Sequence, residues 1–387
     1  MRRGGLLFMN DWVFGEAADS ETKVSEGNFV TAGKIAAEHI RRRENGITYL
    51  DVTSAYFQIG GITHPSKNGN AFYRLDVTQK EKYSPANAEL ANCTAGATVR
   101  FRTDASVLKF HALLHHAVTG MNHIANRGVF GFDIYTGTGT NRSYCGKSMQ
   151  IFTDSPEQCE EELVLPGGKK EIQIPLPMYA GVRELIIGLP DCALIGLPTE
   201  RCCLPIAFYG SSITQGACAS RPGNVYSNIL CRALNTDNLN LGFSGSAVGE
   251  QPVAAYIAAR EISAFVMDYD YNASNPVVLR NTHYDFYKTV RAAHPSIPIL
   301  LVTHPYYAQE NAADMERKAV IQETYRRAAA DGDRNIYYID SENFFLPQMR
   351  DLYTVDNLHP NDLGHFFIAR AIFPTLYNAL KAGDYFV

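Results

Sequence analysis

The sequence predicts two domains, an all-β domain followed by an α/β domain whose parallel sheet is covered by helices on both faces. Between residues 46 and 203, short apolar-alternating runs are separated by Gly, Pro, Asn and Asp, a pattern typical of a β-sandwich or jelly roll. From residue 204 onward, short apolar runs alternate with longer helical patterns. This alternation is typical of β-α units that form a parallel sheet.

Length and composition agree with this division and limit the classes of partner. The 387 residues, 46% of them hydrophobic, suit two domains with separate cores. Net charge is −5 and the longest basic run is the Arg triplet at 41–43, so a nucleic-acid partner is not expected. The apolar start is too short for a secretory signal, and no later run approaches the roughly 18 apolar residues of a membrane span. We therefore expect a cytoplasmic protein without a membrane partner.

The elements of the first half are short. Residues 1–45 are expected to form an N-terminal extension with a helix over 31–43, because residues 35, 36, 39 and 40 would share its apolar side. The all-β domain follows over residues 46–203. Its predicted strands are 47–52, 72–77, 98–103, 107–113, 130–135, 149–152, 170–174 and 184–189.

The α/β domain is predicted over residues 204–387. Several of its helices begin with Pro in the first turn or with an Asn or Asp cap. Predicted strands are 205–209, 239–243, 264–269, 297–302 and 336–339, and predicted helices are 222–234, 251–261, 276–294, 312–330 and 362–381. Because the strands are too apolar to be exposed, right-handed crossovers should place helices on both faces of the sheet.

No metal site or cofactor is predicted. The eight cysteines contain no C-x-x-C pair, so they are expected to be reduced and buried. His111, His115 and His116 lack an accompanying carboxylate pair, and packing histidines are far more common than zinc ligands in such a pattern. Cys218 follows a candidate nucleophile loop but has no histidine motif of its own, so it is a poor nucleophile candidate.

The segment 209–216 joins the first strand of the α/β domain to a helix and contains a candidate nucleophile, Ser212. At the carboxyl end of such a strand, backbone N–H groups and the positive end of the next helix converge. A Gly-Ser-Ser turn is by itself more often a plain connection. A nucleophile would also need a base, an acid that orients the base, and donors for an oxyanion.

Each of these partners is found at a predicted strand end. Asp356 precedes His359 by three residues in the loop before the last helix, so one tight turn could aim the carboxylate at the far ring nitrogen. The candidate oxyanion donors are the backbone N–H groups of Ser212 and Gly245 and the side-chain amide of Asn272. Separately these are common turn and cap residues. Their joint occurrence in this order predicts a hydrolytic site.

These residues resemble the blocks of the SGNH, or GDSL-like, hydrolase superfamily. Ser212 matches the first block, Gly245 the second, Asn272 the third, and Asp356 with His359 the fifth. Two departures are visible: Ser211 replaces the aspartate of the Gly-Asp-Ser signature, as in one branch of the superfamily, and the third block lacks its usual Gly before the Asn. Residues 131–135, Gly-Phe-Asp-Ile-Tyr, resemble the Gly-x-Asp-Leu-Tyr motif of the all-β domain that precedes this branch's catalytic domain.

The resemblance implies a flavodoxin-like catalytic domain and a metal-free serine esterase. Ser212 would be the nucleophile, His359 the general base, and Asp356 the residue that fixes the histidine tautomer. Members are often carbohydrate acetyl esterases, so a small acyl group on a hydroxylated substrate is expected. An acyltransferase, a lipase or thioesterase for longer chains, and a non-catalytic carbohydrate-binding protein remain alternatives. The sequence does not determine the oligomeric state.

Three further residues are expected to line the substrate site. Tyr271, His304 and Tyr306 follow predicted strands at the same end of the sheet. Aromatic rings in such places can stack on a sugar. The surrounding loops are rich in Ser, Asn, Gln, Tyr and Gly, and such polar side chains suit a hydroxylated leaving group better than a lipid tail.

Overall fold

Two antiparallel sheets form the first half of the chain. The computed structural model describes residues 29–117, 121–149, 158–305 and 311–386. Their first-half strands and helices are β1 (Val30–Thr31), β2 (Ile40–Glu44), β3 (Ile47–Asp51), β4 (Gln58–Gly60), α1 (Pro85–Leu90), β5 (Thr98–Thr103), β6 (Val107–Ala117), α2 (Asn126–Phe130), β7 (Phe132–Thr138), β8 (Asn141–Met149), β9 (Gln158–Val164), β10 (Lys170–Pro175), β11 (Ala180–Pro190) and β12 (Leu194–Gly196).

The two sheets face each other across one core. One has the order β1-β12-β5-β10-β7-β8, with β4 also paired to β5, and the other has the order β2-β3-β11-β6-β9. Phe110 of β6 and Phe132 of β7 meet across the sheets with ring centroids 4.9 Å apart. Side chains of both sheets belong to a single buried apolar cluster, which is a sandwich arrangement. The jelly-roll connectivity stays a prediction.

The predicted helix over 31–43 is wrong. Residues 40–44 form β2, which pairs with β3 through the two-residue turn Asn45-Gly46, where both residues have positive φ, 52° and 75°. Asn-Gly in this conformation is the strongest short-range hairpin signal, and it outweighs the helical spacing of the apolar residues. The described part of the N-terminal segment thus supplies strands to both sheets.

Two other predicted strands, 72–77 and 149–152, are not confirmed by the structure. The predicted strand 72–77 is wrong: the segment is irregular up to a 3₁₀ turn at Val77–Lys82. Its buried Tyr73 and Leu75 pack into the core of the α/β domain instead of joining a sheet. Of the predicted strand 149–152, Met149 ends β8 and residues 150–152 lie outside the described residues.

The α/β domain follows its predicted element order. Its elements are β13 (Ile206–Gly210), α3 (Ser212–Gln215), α4 (Tyr226–Ala233), β14 (Asn238–Gly242), α5 (Gln251–Ala258), β15 (Ala264–Asp268), α6 (Pro276–Ala293), β16 (Ile299–Val302), α7 (Ala312–Ala330), β17 (Ile336–Ile339) and α8 (Asp362–Ala382). The strands are parallel in the order β14-β13-β15-β16-β17. This 2-1-3-4-5 order is that of flavodoxin-like sheets.

Both faces of the parallel sheet are buried under helices. Phe265, from β15, packs with residues of α5, α6 and α7. The next residue, Val266, packs on the opposite face with residues of α4 and α8, since successive side chains of a strand alternate between faces. Within the described ranges, no helix combines the length and apolar character needed to cross a membrane.

A buried arginine joins the two halves of the chain. Arg74 is fully buried and donates to the carbonyl oxygens of Asn240 (3.1 Å), Gly242 (2.6 Å) and Cys93 (2.8 Å). Its guanidinium carbon also lies 4.7 Å from the ring centroid of Phe243. Burial lowers the pKa of Arg74 to about 10. The end of β14 and the loop after it are therefore fixed by a residue from the first half of the chain.

Candidate active site

Ser212 is the first residue of α3 and follows β13 after a single connecting residue. That residue, Ser211, caps the helix: its Oγ accepts a hydrogen bond from Ile213 N at 3.2 Å, which satisfies a free N–H of the first turn. Gly210 ends the strand where a side chain has no room, because a Cβ would collide with Asp268 Oδ1 and Thr214 Oγ1. The absence of a side chain at Gly210 thus leaves room for Asp268 and for the first turn of α3, and Ser212 lies at the carboxyl edge of the sheet.

Ser212, His359 and Asp356 form a hydrogen-bonded chain. Ser212 Oγ lies 3.0 Å from His359 Nε2, and His359 Nδ1 lies 2.8 Å from Asp356 Oδ2. The other carboxylate oxygen of Asp356 accepts from the backbone N–H groups of His359 (2.7 Å) and Leu358 (3.1 Å). Asn357, between them, has φ 62°. The three predicted residues are therefore together, in the tight turn expected from the spacing of Asp356 and His359.

The charge of Asp356 determines which nitrogen of His359 carries the proton. Burial raises the pKa of Asp356, but hydrogen bonds from the backbone and ring of His359 outweigh it and lower the pKa below its usual range. An ionised carboxylate can only accept hydrogen bonds. Nδ1 of His359 therefore carries a proton, and in the neutral imidazole Nε2 faces the hydroxyl of Ser212 as an acceptor.

The predicted oxyanion donors lie on loops that are hydrogen-bonded to one another and to the turn that carries Ser212. Gly245 has φ 67°, and a Cβ at this position would meet no atom within 4 Å. Glycine is therefore favoured at 245 by the left-handed backbone conformation and not by a lack of space. The Asn272 amide donates to Phe243 O at 2.8 Å, and Ser244 N donates to Gln215 Oε1 at 2.9 Å. An amide group carries a second N–H, which leaves Asn272 capable of a further bond.

The all-β domain supplies residues to this site that the sequence analysis missed. The ring of His123 stacks on His359, with centroids 5.0 Å apart and planes 27° apart. Tyr179 donates its hydroxyl proton to Ser212 O at 3.4 Å, and Gln215 donates to Met178 O at 3.2 Å. These residues form no motif. Only the packing of the two halves brings them to the edge of the sheet that carries Ser212.

The motif at residues 131–135 holds the end of the loop that follows Ser212 and α3. Asp133 is fully buried, and its Oδ2 accepts from Arg221 Nη1 at 2.8 Å and from Gly223 N at 2.7 Å. Tyr135 accepts from the same Arg221 nitrogen at 2.7 Å, and the guanidinium lies over the ring of Tyr144 at 3.9 Å. The predicted helix start at 222 is accordingly displaced to Tyr226, because Pro222–Asn224 form a 3₁₀ turn at this contact.

A second carboxyl group contacts α3, the short helix that begins with Ser212. Asp268, at the end of β15, accepts from the hydroxyl of Thr214 and from that of Tyr226 at 2.8 Å. Part of the residue stays accessible to solvent, but its carboxyl group is surrounded by protein atoms. The burial of the carboxyl group raises the pKa of Asp268 to about 7. The neighbouring charge of Asp270 raises it further, while the two hydroxyl donors lower it.

The expected lining residues differ in exposure. Tyr271 is 39% exposed, and its ring centroid is 4.8 Å from that of His304. His304 is buried, with Nδ1 bonded to Asp270 Oδ2 at 2.7 Å, so most of this ring is engaged by protein. Tyr306 lies outside the described residues. A lining role for these residues stays a prediction.

Residues 111, 115 and 116, the histidines considered as metal ligands, belong to strand β6 and not to the loops around Ser212. His111 pairs with Glu160 across β6 and β9 at 2.9 Å. Instead, metal-binding atoms of His123, Cys218 and His359 lie within 4.8 Å of one another. Burial, followed by the negative charge of Asp356, raises the pKa of Cys218 to about 12. This thiol is therefore protonated at neutral pH and is not a nucleophile.

Comparison with solved structures shows a shared fold over most of the chain. The chain is 26% identical to a protein described as a candidate GDSL-like lipase from Bacteroides ovatus, with TM-score 0.76 over 87% of this chain and 98% of that one. It is 17% identical to the salicylyl-acyltransferase SsfX3 of a tetracycline biosynthetic pathway (TM-score 0.70; 88% and 98%). It is 13% identical to an acetyl xylan esterase from Butyrivibrio proteoclasticus (TM-score 0.55; 86% and 99%). The last two likenesses show the fold alone.

No curated protein matches the sequence, but family models match both of its halves. The GDSL-like lipase/acylhydrolase family matches residues 204–377, and the GxDLY N-terminus of SGNH-hydrolase-type esterases matches residues 47–195. The chain therefore belongs to the SGNH, or GDSL-like, serine hydrolases, in the branch that carries a GxDLY domain before the catalytic domain.

Proposed function

We propose that this chain is a serine esterase that removes a small acyl group, foremost acetyl, from a hydroxylated, carbohydrate-like substrate. The observation that carries the proposal is the chain of hydrogen bonds from Ser212 through His359 to Asp356. Its geometry agrees with the nucleophile, base and orienting acid of a serine hydrolase. An ionised Asp356 and an acceptor nitrogen facing the serine are the protonation states that such a mechanism needs at the start.

The first half of the reaction forms an acyl-enzyme. Ser212 Oγ attacks the ester carbonyl while His359 Nε2 takes its proton, and Asp356 stabilises the imidazolium. The carbonyl oxygen becomes negative and accepts hydrogen bonds from the N–H groups of Ser212 and Gly245 and from the second amide N–H of Asn272. Loss of one such donor typically slows turnover by about 10²–10³-fold. His359 then returns its proton to the leaving alcohol.

The second half restores the enzyme. Water gives a proton to His359 Nε2 and attacks the acyl carbon, and collapse of the second tetrahedral intermediate releases the acid and returns the proton to Ser212. The exposed ring of Tyr271 supports a sugar-like leaving group, because an aromatic face can stack on a pyranose ring. Polar side chains and backbone around Ser244, Gly245 and Asn272 support a hydroxylated substrate in the same way.

Labelling with a fluorophosphonate probe tests the proposal directly. The probe should form a covalent adduct on the peptide that contains Ser212, and Ser212→Ala should abolish both labelling and hydrolysis of 4-nitrophenyl acetate. Ser274→Ala is the matched control, since this exposed serine lies at the same end of the sheet. An adduct on another residue, or hydrolysis by Ser212→Ala above that of a mock purification, would contradict the assignment.

A further inference from the structure

Three side chains with metal-binding atoms meet beside the nucleophile. His123 comes from the segment before α2, Cys218 from the loop after α3, and His359 from the loop before α8. Their ligand atoms lie within 4.8 Å of one another. The thiol of Cys218 donates to His123 O at 3.3 Å, and the His123 ring stacks on that of His359. Contacts between the two domains thus hold the three residues together.

We propose that His123, Cys218 and His359 form an inhibitory site for zinc or a similar divalent cation. Imidazole nitrogen and thiolate sulfur are the ligands that Zn²⁺ prefers. Three protein ligands leave a fourth tetrahedral position for water. Binding of the ion is independent of the proposed function, whereas its inhibitory effect rests on that function.

The orientation of His359 already resembles that of a zinc ligand. In zinc proteins the nitrogen that does not bind the metal usually donates to a carboxylate, which fixes the ring. Asp356 occupies this position, bonded to Nδ1 at 2.8 Å. The metal would therefore take Nε2, which is the atom that now lies 3.0 Å from Ser212 Oγ. An ion at this nitrogen removes the base from the serine.

Binding requires a small closure of the cluster and the loss of one proton. With Zn–N near 2.0–2.1 Å and Zn–S near 2.3 Å, tetrahedral ligand atoms are about 3.5 Å apart, so side chains must move inward by about 1 Å. His123 is only half-buried and can rotate. The thiol of Cys218 releases its proton to solvent as the Zn–S bond forms, and the neutral imidazole nitrogens bind through their lone pairs. Because this thiol is buried, we expect weaker binding than at structural zinc sites.

Cobalt absorption tests the site without reference to activity. Co²⁺ added to the full chain should produce a thiolate-to-cobalt charge-transfer band in the near ultraviolet. The band should persist in Ser212→Ala and in Cys192→Ser, an exposed-cysteine control, and it should disappear in Cys218→Ser. Absence of the band in the unmodified chain, or its persistence in Cys218→Ser, would overturn the site even if the esterase assignment is correct.

Zinc inhibition tests the effect on catalysis. Zn²⁺ should inhibit hydrolysis of 4-nitrophenyl acetate, and a chelator should restore it. Cys218→Ser should raise the zinc concentration for half-inhibition at least about tenfold, since loss of even an outer partner costs 10–100-fold in metal affinity. Cys192→Ser should behave as the unmodified chain. If circular dichroism shows that Cys218→Ser is unfolded, His123→Gln replaces it, with the same expected shift. Equal inhibition of the variant and the unmodified chain would refute the proposal.

Discussion

Replacing Asp133 with asparagine should destabilise the chain, because this carboxylate links the all-β domain to the nucleophile loop. Asp133 is fully buried and bonds Arg221 Nη1 and Gly223 N at 2.8 and 2.7 Å. The amide keeps the size of the side chain but removes its charge. Arg221 is then left without its carboxylate at the domain contact.

The expected loss is about 2–3 kcal/mol. Removing one partner of a buried ion pair costs about 3–5 kcal/mol. The Arg221 side chain is 19% exposed and keeps its contacts with Tyr135 and Tyr144, which places the cost toward or below the lower end of that range. Such a loss exceeds the roughly 0.5 kcal/mol that a neutral surface substitution typically produces.

Urea unfolding measures this loss as a shift of the midpoint at constant slope. Glu162→Gln is the matched control: its carboxylate pairs with Lys109 on the surface, where both side chains are exposed, so this substitution should cost much less stability than Asp133→Asn. If Asp133→Asn is no less stable than this control, the buried ion pair contributes no more to stability than an exposed one, which would refute the prediction.

Four further predictions concern the site. Asp356→Asn should lower kcat about 10⁴-fold with little change in KM, because the histidine loses its tautomer; a normal kcat with raised KM in steady-state kinetics would make Asp356 a binding residue. The pKa of Asp268 is raised to about 7 in the folded state. Between about pH 4 and 7 the folded chain therefore keeps a proton on Asp268, whereas the unfolded chain has lost it. The free energy of unfolding should therefore fall as pH rises through this window, and it should fall less in Asp268→Asn. If the urea midpoint changes between pH 5 and pH 8 by the same amount in the variant and in the unmodified chain, the prediction is wrong. A chain starting at residue 204 should express poorly or lose activity on acetylated sugars, because Ala217, Cys218 and Ala219 belong to the core of the all-β domain; unchanged activity on acetylated sugars and on aryl esters would contradict this. Among 4-nitrophenyl esters, kcat/KM should fall from acetate to octanoate. Burying each methylene of a longer acyl chain would contribute ~0.8 kcal/mol, but the polar loops around Ser212 do not offer an apolar surface for it. A rise in kcat/KM with chain length would favour a lipase or thioesterase.

Local patterns were sufficient to predict the α/β domain. Its strands are short apolar runs buried on both faces, and its helices carry their own Pro, Asn or Asp starts. Because parallel strands end at one edge of the sheet, residues that follow strands are brought together by topology alone. Ser212, Gly245 and Asn272 could be grouped for this reason, and the spacing of Asp356 and His359 indicated their shared turn.

The secondary structure of the first half of the chain depends more on tertiary contacts than that of the α/β domain. Most sandwich strands pair with partners that are distant in sequence. One exception is the hairpin at Asn45-Gly46, where a local turn signal outweighs the helical spacing of residues 31–43. Residues 72–77 have the pattern of a strand, but Tyr73 and Leu75 are buried against the other domain. Nothing in the local pattern shows which of the two surfaces an apolar run will meet.

The sequence by itself determined the order of the strands and main helices of the α/β domain, the family and the three residues of the hydrogen-bonded chain, because each depends on short-range pattern and spacing. Only the tertiary structure decided that Asp133 holds Arg221, that Arg74 lies behind the end of β14, and that His123 covers His359. These contacts join residues far apart in sequence, and they form only because the packing of the two domains, driven by burial of apolar surface, brings their loops to one edge.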